Sequence, residues 1–193
     1  AALEEVSASL GIALAASVVP VVDKASAADP VLSVPLAAAD LIHLPGGDPD
    51  LMPGILGGSA AWAAMARALV DGAVVAGASA GAMGLAELTW TPAGLVAGLG
   101  AATGILVVPH ADAGSWARNL RRFGGGASAS ASVGLLGLAE RTGVIGSGDG
   151  TWRVVGEGEV RWLPAAAVVG IADLDPDAAV VLRDGDRLDT RAP

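Results

Sequence analysis

An α/β sandwich is the fold class the sequence predicts for this chain of 193 residues: three layers on a mainly parallel sheet, closed by short antiparallel strands. Three observations point to it. Short, fully apolar runs alternate with helical patterns up to residue 140, as strands buried under crossover helices should. Turn residues then replace the helices, so that "GVIGSGDGTWRVVGEGEVRWL" and "AAVVLRDGDRLDT" read as antiparallel strands joined by Gly-Asp-Gly and Asp-Gly turns. The length suits one medium domain, and no repeat or linker interrupts it, so residues 1–193 read as a single α/β domain.

The elements follow in order. Residues 1–10 read as a helix stopped by Gly11, and "IALAASVVPVV" as an extended segment ended by the polar loop "DKASAADP". Asp29-Pro30 opens a short helix, with Asp29 as cap and Pro30 at the first position. "LIHL" (41–44) is a short strand that runs straight into "PGGDPD". In "SAAWAAMARALVDG" (59–72), Trp62, Met65, Ala66 and Leu69 share one helical face between a Ser59 cap and a Gly72 stop. "AVVAG" reads as a parallel strand buried on both faces, with "GILVVP" (104–109) and "VGLLGL" (133–138) as further strands. "GSWARNLRRF" is a short helix ended by "GGG". The uncharged stretch from Leu88 to Pro109 contains Pro92 and four glycines, which makes it loop plus strand rather than a membrane span.

Composition narrows the partners. A net charge of −9 disfavours nucleic acid, whose phosphates need a basic surface, and disfavours an anionic membrane face. With no cysteine there is no disulfide framework or thiolate chemistry, and two histidines without cysteine argue against a zinc site. "DLDPD" (173–177) lacks the glycine and the bidentate glutamate of a calcium loop and reads as an acidic turn. No metal and no cofactor are expected. The acidic amino end lacks the basic n-region of a signal peptide, which makes the cytoplasm the expected location.

Chemistry gathers beyond the strand ends, where sites form in open α/β sheets. Gly77-Ala78-Ser79-Ala80-Gly81 follows "AVVAG" and fits a nucleophile elbow, in which small flanking residues let the strand turn sharply and lift a hydroxyl. The competing reading of such a pentamer is a closely packed turn. A serine needs a base. Of the two histidines, His43 lies inside an apolar strand and reads as a core or rim residue, whereas His110 follows a buried strand at a matching end. Glu140 is best placed to accept the other imidazole N–H, with Asp173 as a rival. Gly47 of "PGGD" and Ala80 offer backbone N–H groups for an oxyanion hole. The order Ser, His, Glu departs from that of α/β-hydrolases, where the acid precedes a late histidine.

Four blocks carry a resemblance across residues 12–163: "LIHLPGGDPDLM", "VVAGASAGAM", "VVPHADAGSWARNLRRF" and "LLGLAERTGVI…WRVVGEGEVRW". In this order they resemble the signature blocks of the peptidase E and cyanophycinase family. The resemblance implies a class I glutamine amidotransferase-like (flavodoxin-like) fold. It further implies a serine peptidase with Ser79 as nucleophile, His110 as base, Glu140 as orienting acid, and Gly47 with Ala80 as oxyanion donors. Relatives begin with another strand and helix holding a Gly-rich segment, and this unit is expected to be lacking here. The family's preference for aspartyl or β-aspartyl groups implies a small peptide substrate. Its carboxylate would be met by Arg118, which shares a helix face with Arg122, and its amine by Asp48 or Asp112. A homodimer is compatible with the sequence. Two other readings stay open: a non-catalytic binding protein on the same fold, and an amidohydrolase acting on a non-peptide amide.

Overall fold

Two clusters of buried side chains organise the chain, and the site described below lies between them. The computed structural model describes residues 7–124, 133–168 and 174–191. The smaller cluster is Ala27, Leu36, Ile42, Leu56, Ala61, Met65 and Ala68. It is enclosed by α1 (Lys24–Ala28), α2 (Pro30–Ala37), β1 (Leu41–Leu44), α3 (Leu51–Leu56), α4 (Ala60–Val70) and β2 (Val74–Gly77). β1 and β2 pair in parallel as a separate two-stranded sheet, with Leu41 opposite Val74 and Leu44 opposite Gly77.

The larger cluster runs through a six-stranded sheet of order β10-β9-β6-β5-β3-β4. Its strands are β3 (Ala86–Thr91), β4 (Gly94–Ala97), β5 (Ala102–Val108), β6 (Gly134–Leu138), β9 (Val160–Leu163) and β10 (Val180–Leu182). The centre is parallel, β3 with β5 and β5 with β6, while the flanking pairs are antiparallel. Helix α5 (Ala80–Leu85) joins the two clusters, and α6 (Trp116–Gly124) packs on β5. A short helix α7 (Ala165–Val168) follows β9, and β7 (Thr142–Gly146), β8 (Thr151–Gly156) and β11 (Arg187–Asp189) form a small antiparallel sheet. The architecture is mixed α/β with a parallel core. No described helix is long and apolar enough to cross a membrane.

Local chemistry explains most boundaries. The Ser59 hydroxyl accepts from the Trp62 N–H at 3.1 Å and caps α4, and the Asp29 carboxylate accepts from the Val31 N–H at 2.8 Å and caps α2. "GILVV" is fully apolar because Ile105, Leu106 and Val108 are wholly buried between α6 and the rest of the large cluster. Fully burying side chains of this size stabilises the fold by about 1.5–3 kcal/mol each.

Five expectations are corrected. The loop "DKASAADP" contains helix α1, because Asp23 and Ser26 form a reciprocal capping box. The segment 12–22 carries no described strand, and Val18 is 92% exposed. The buried stripe of α4 is Ala61, Met65 and Ala68, whereas Leu69 is exposed and Trp62 only half-buried. Small alanines let α2 approach α4 closely, an advantage that a hydrophobicity scan weights too little. Leu88–Pro109 contains the hairpin β3–β4 as well as β5, turning at Pro92-Ala93. Finally, β2 is not buried on both faces. Val74 is 53% exposed, and with Leu41 and His43 it lies on a face of the small sheet that no described element covers.

Candidate active site

Between β2 and α5 the chain makes a bend that only small residues permit. A Cβ on Gly77 would lie 2.5 Å from the carbonyl of Gly81, and one on Gly81 would lie 2.2 Å from the Leu44 oxygen. Both glycines are therefore fixed by backbone meeting backbone, which no rotamer change can relieve. Ser79, at the apex, has φ 51° and ψ −116°. It occupies the N-cap position of α5, yet its side chain makes no capping bond. The hydroxyl turns outward instead, and Ser79 Oγ lies 3.1 Å from His110 Nε2.

His110 extends from the end of β5 in the left-handed region, at φ 54°. Its Nδ1 lies 2.5 Å from Glu140 Oε1. A carboxylate can only accept, so Nδ1 carries the proton and donates to Glu140; Nε2 of the neutral ring is then an acceptor and Ser79 Oγ–H donates to it. The third residue comes from the turn after β6, whose register with β5 sets Val108 opposite Gly137 and brings the two loops side by side. The next residue, Arg141, has φ 52°. Ser79, His110 and Arg141 are the non-glycine residues of positive φ among the described residues, and each belongs to or adjoins this constellation. Strain of this kind costs about 1–3 kcal/mol per residue and clusters at functional sites.

The supports are specific. Asn119 Nδ2 and Ser115 Oγ both donate to the His110 carbonyl, at 2.7 and 2.5 Å. Ala111 donates its N–H to Leu138 O and accepts from Arg161 Nη1 at 2.8 Å. Arg161 is itself buried and ion-paired with Glu159 at 2.6 Å. The Glu140 N–H donates to Asp112 Oδ1 at 3.3 Å, and its carbonyl accepts from Thr142 Oγ1 at 3.0 Å. The functional edge of the site is open to solvent, with the His110 and Glu140 side chains 52% and 63% exposed.

The other sequence-derived candidates are placed as follows. Gly47 has φ 157°, and its neighbour Gly46 approaches the elbow so closely that an added Cβ would lie 3.1 Å from Ser79 Cβ. Ala80 is buried and begins α5, so its N–H lacks an intrahelical acceptor. Asp48 is a turn residue whose Oδ1 accepts from the Asp50 N–H, and Asp112 holds the Glu140 backbone. Arg118 is exposed on α6 and, among the described residues, forms no hydrogen bond with Ser79, His110 or Glu140. Arg122 stacks over the Trp90 ring at 5.4 Å. His43 is exposed on the small sheet rather than in the core. Asp173, the rival acid, lies outside the described residues. No group of three or more ligating side chains suited to a metal occurs among the described residues.

Asn119 and Ser115 escaped the sequence reading. A signal was present: Trp116, Asn119, Leu120 and Phe123 have helical spacing and all are buried, so one polar amide stands on an apolar stripe.

No protein-family model matches the chain, and no curated protein does. Among solved structures, the chain is similar to the crystal structure of a peptidase from an acI-B1 Actinobacterium, with a TM-score of 0.71 and 23% sequence identity. The match covers 96% of this chain and 73% of that one.

Proposed function

We propose that the chain is a serine-type hydrolase that cleaves an amide bond through an acyl-enzyme, with an aspartyl or β-aspartyl small peptide as substrate. The observation that carries the reading is the continuous line Ser79 Oγ–His110 Nε2, His110 Nδ1–Glu140 Oε1, at 3.1 and 2.5 Å, on a left-handed serine held by two irreplaceable glycines. The peptidase named among the structural neighbours agrees with it.

In this mechanism Ser79 Oγ attacks the scissile carbonyl carbon as its proton passes to His110 Nε2. Glu140, bonded to Nδ1–H, stabilises the imidazolium so formed and fixes the tautomer. The N–H groups of Gly47 and Ala80 stabilise the oxyanion, and losing one such donor costs about 3–4 kcal/mol in comparable sites. The tetrahedral intermediate collapses by breaking the C–N bond, and the imidazolium gives its proton to the departing amine. Water then attacks the ester, again deprotonated by His110, and Ser79 recovers its proton as the acid product leaves. Arg118 is assigned the substrate carboxylate, and the carboxylates of Asp48 and Asp112 the amine.

The test uses a fluorophosphonate probe and a panel of aspartyl dipeptides. The parent should be labelled, with the adduct mapping to Ser79, and Ser79→Ala should lose both labelling and hydrolysis by more than about a thousandfold. An unlabelled, inactive parent would favour a binding protein. Undiminished turnover by Ser79→Ala would overturn the assignment of the nucleophile. Labelling of Ser79 without turnover of any peptide would leave a hydrolase of another amide.

A further inference from the structure

We propose that Asn119 is a positioning residue: with Ser115, it clamps the His110 carbonyl so that the imidazole is held in line between Ser79 and Glu140. The proposal rests on the serine-hydrolase reading for its kinetic consequence, but the geometry stands apart from it.

A histidine in the left-handed region has no intrinsic reason to stay there, since its Cβ crowds the backbone at a cost of about 1–2 kcal/mol. The His110 carbonyl carbon and its Cβ are bonded to the same Cα, so their directions are coupled through that one centre. Whatever fixes one therefore aims the other. That carbonyl receives two side-chain donors, Asn119 Nδ2 of α6 at 2.7 Å and Oγ of Ser115, the residue just before α6, at 2.5 Å. Asn119 Nδ2 also lies 3.4 Å from the Pro109 carbonyl, so one amide spans the peptide groups on either side of the His110 Cα.

The clamp has a rigid base. Trp116, Leu120 and Phe123 are buried in the large cluster, and Trp116 Nε1 donates to the Pro176 carbonyl at 2.9 Å. Asn119 is only 7% exposed, so its amide cannot turn to water without unburying the helix. A group that merely satisfied a stray carbonyl would need one donor. Two converging donors, on the one peptide whose conformation aims the base, constitute a positioning device. Asn119 touches neither reacting atom and acts through His110 alone.

The experiment compares Asn119→Leu, of similar volume but unable to donate, with Ser115→Ala and Ser115→Thr. Three quantities are read: the phosphonate labelling rate, the thermal midpoint, and the downfield proton resonance of His110 Nδ1–H. The chain has two histidines, so His43→Gln assigns the imidazole signals. Asn119→Leu should slow labelling about a hundredfold, the scale of an ångström-sized misplacement, and should move or broaden the Nδ1–H resonance. Ser115→Ala should do the same to a lesser degree, and Ser115→Thr, which keeps the hydroxyl, should restore both. If Asn119→Leu does not fold, the Ser115 pair decides.

Labelling within threefold of the parent together with an unmoved resonance, in Asn119→Leu or in both Ser115 variants, overturns the proposal. So does a parent with no downfield resonance. A parent that is never labelled, yet whose resonance is lost in the variants and restored by Ser115→Thr, overturns the hydrolase reading and sustains the clamp.

Discussion

Ser79 stands in a backbone conformation that glycine adopts freely and serine does not, at φ 51° and ψ −116°. The hydroxyl is therefore retained against the local preference of the chain. Replacing it with glycine removes the Cβ penalty of about 1–3 kcal/mol and adds back a backbone entropy cost of about 0.5–1 kcal/mol. Ser79→Gly should thus be more stable than Ser79→Ala by about 1 kcal/mol in urea unfolding, with neither variant labelled by the phosphonate. A glycine variant less stable than the alanine one would show that the elbow is relaxed. Much of this bend was legible in the sequence, because two glycines flanking a serine after an apolar run encode close backbone approach. Asn119 was harder to read: its partner, the His110 carbonyl, is a backbone atom that no side-chain pattern announces.

Among the elements, those defined by caps and turns followed the sequence most closely. Ser59 and Asp29 cap as their types predict, and the glycine-rich turns after residue 140 yield antiparallel pairs. The buried face of α4 departs from the expected one because packing between helices there is done by alanine, not by the larger Trp62 and Leu69. The turn joining β7 to β8 supplies a titration test. The Thr151 hydroxyl and N–H both donate to Asp149 Oδ1, at 2.5 and 2.9 Å, and hold its carboxyl down from 3.8 to about 2. A depressed carboxyl adds stability above its unfolded value, and that contribution disappears as pH falls through the folded one. The stability gap between the parent and Asp149→Asn should therefore be constant near neutrality and shrink as pH drops from 3.8 towards about 2. A gap that does not change in acid would remove the carboxylate from the account of this turn.

At the scale of the whole molecule, the chain places Ser79 on one buried cluster and His110 and Glu140 on the other. The cluster behind Ser79 is the smaller and is rich in alanine, so it should open first. Met65 is its largest wholly buried side chain, 2% exposed, and Met65→Ala should cost about 3 kcal/mol. Hydrogen exchange should then accelerate in β1 and β2 while β5 and β6 keep their protection, and phosphonate labelling should fall with the former. Uniform acceleration would mean one cooperative unit. The sequence could not reveal this division, because the four apolar strand runs look alike until their hydrogen-bond partners are known.

The contact of Gly77 with Gly81, and of Gly81 with Leu44, leaves no room for a side chain at either glycine of the bend. On the proposed hydrolase reading, selectivity is therefore written elsewhere, in the loops beside Ser79 and His110 at 45–50 and 111–115. Someone seeking to redirect its selectivity would leave the pivot untouched and rebuild its surroundings.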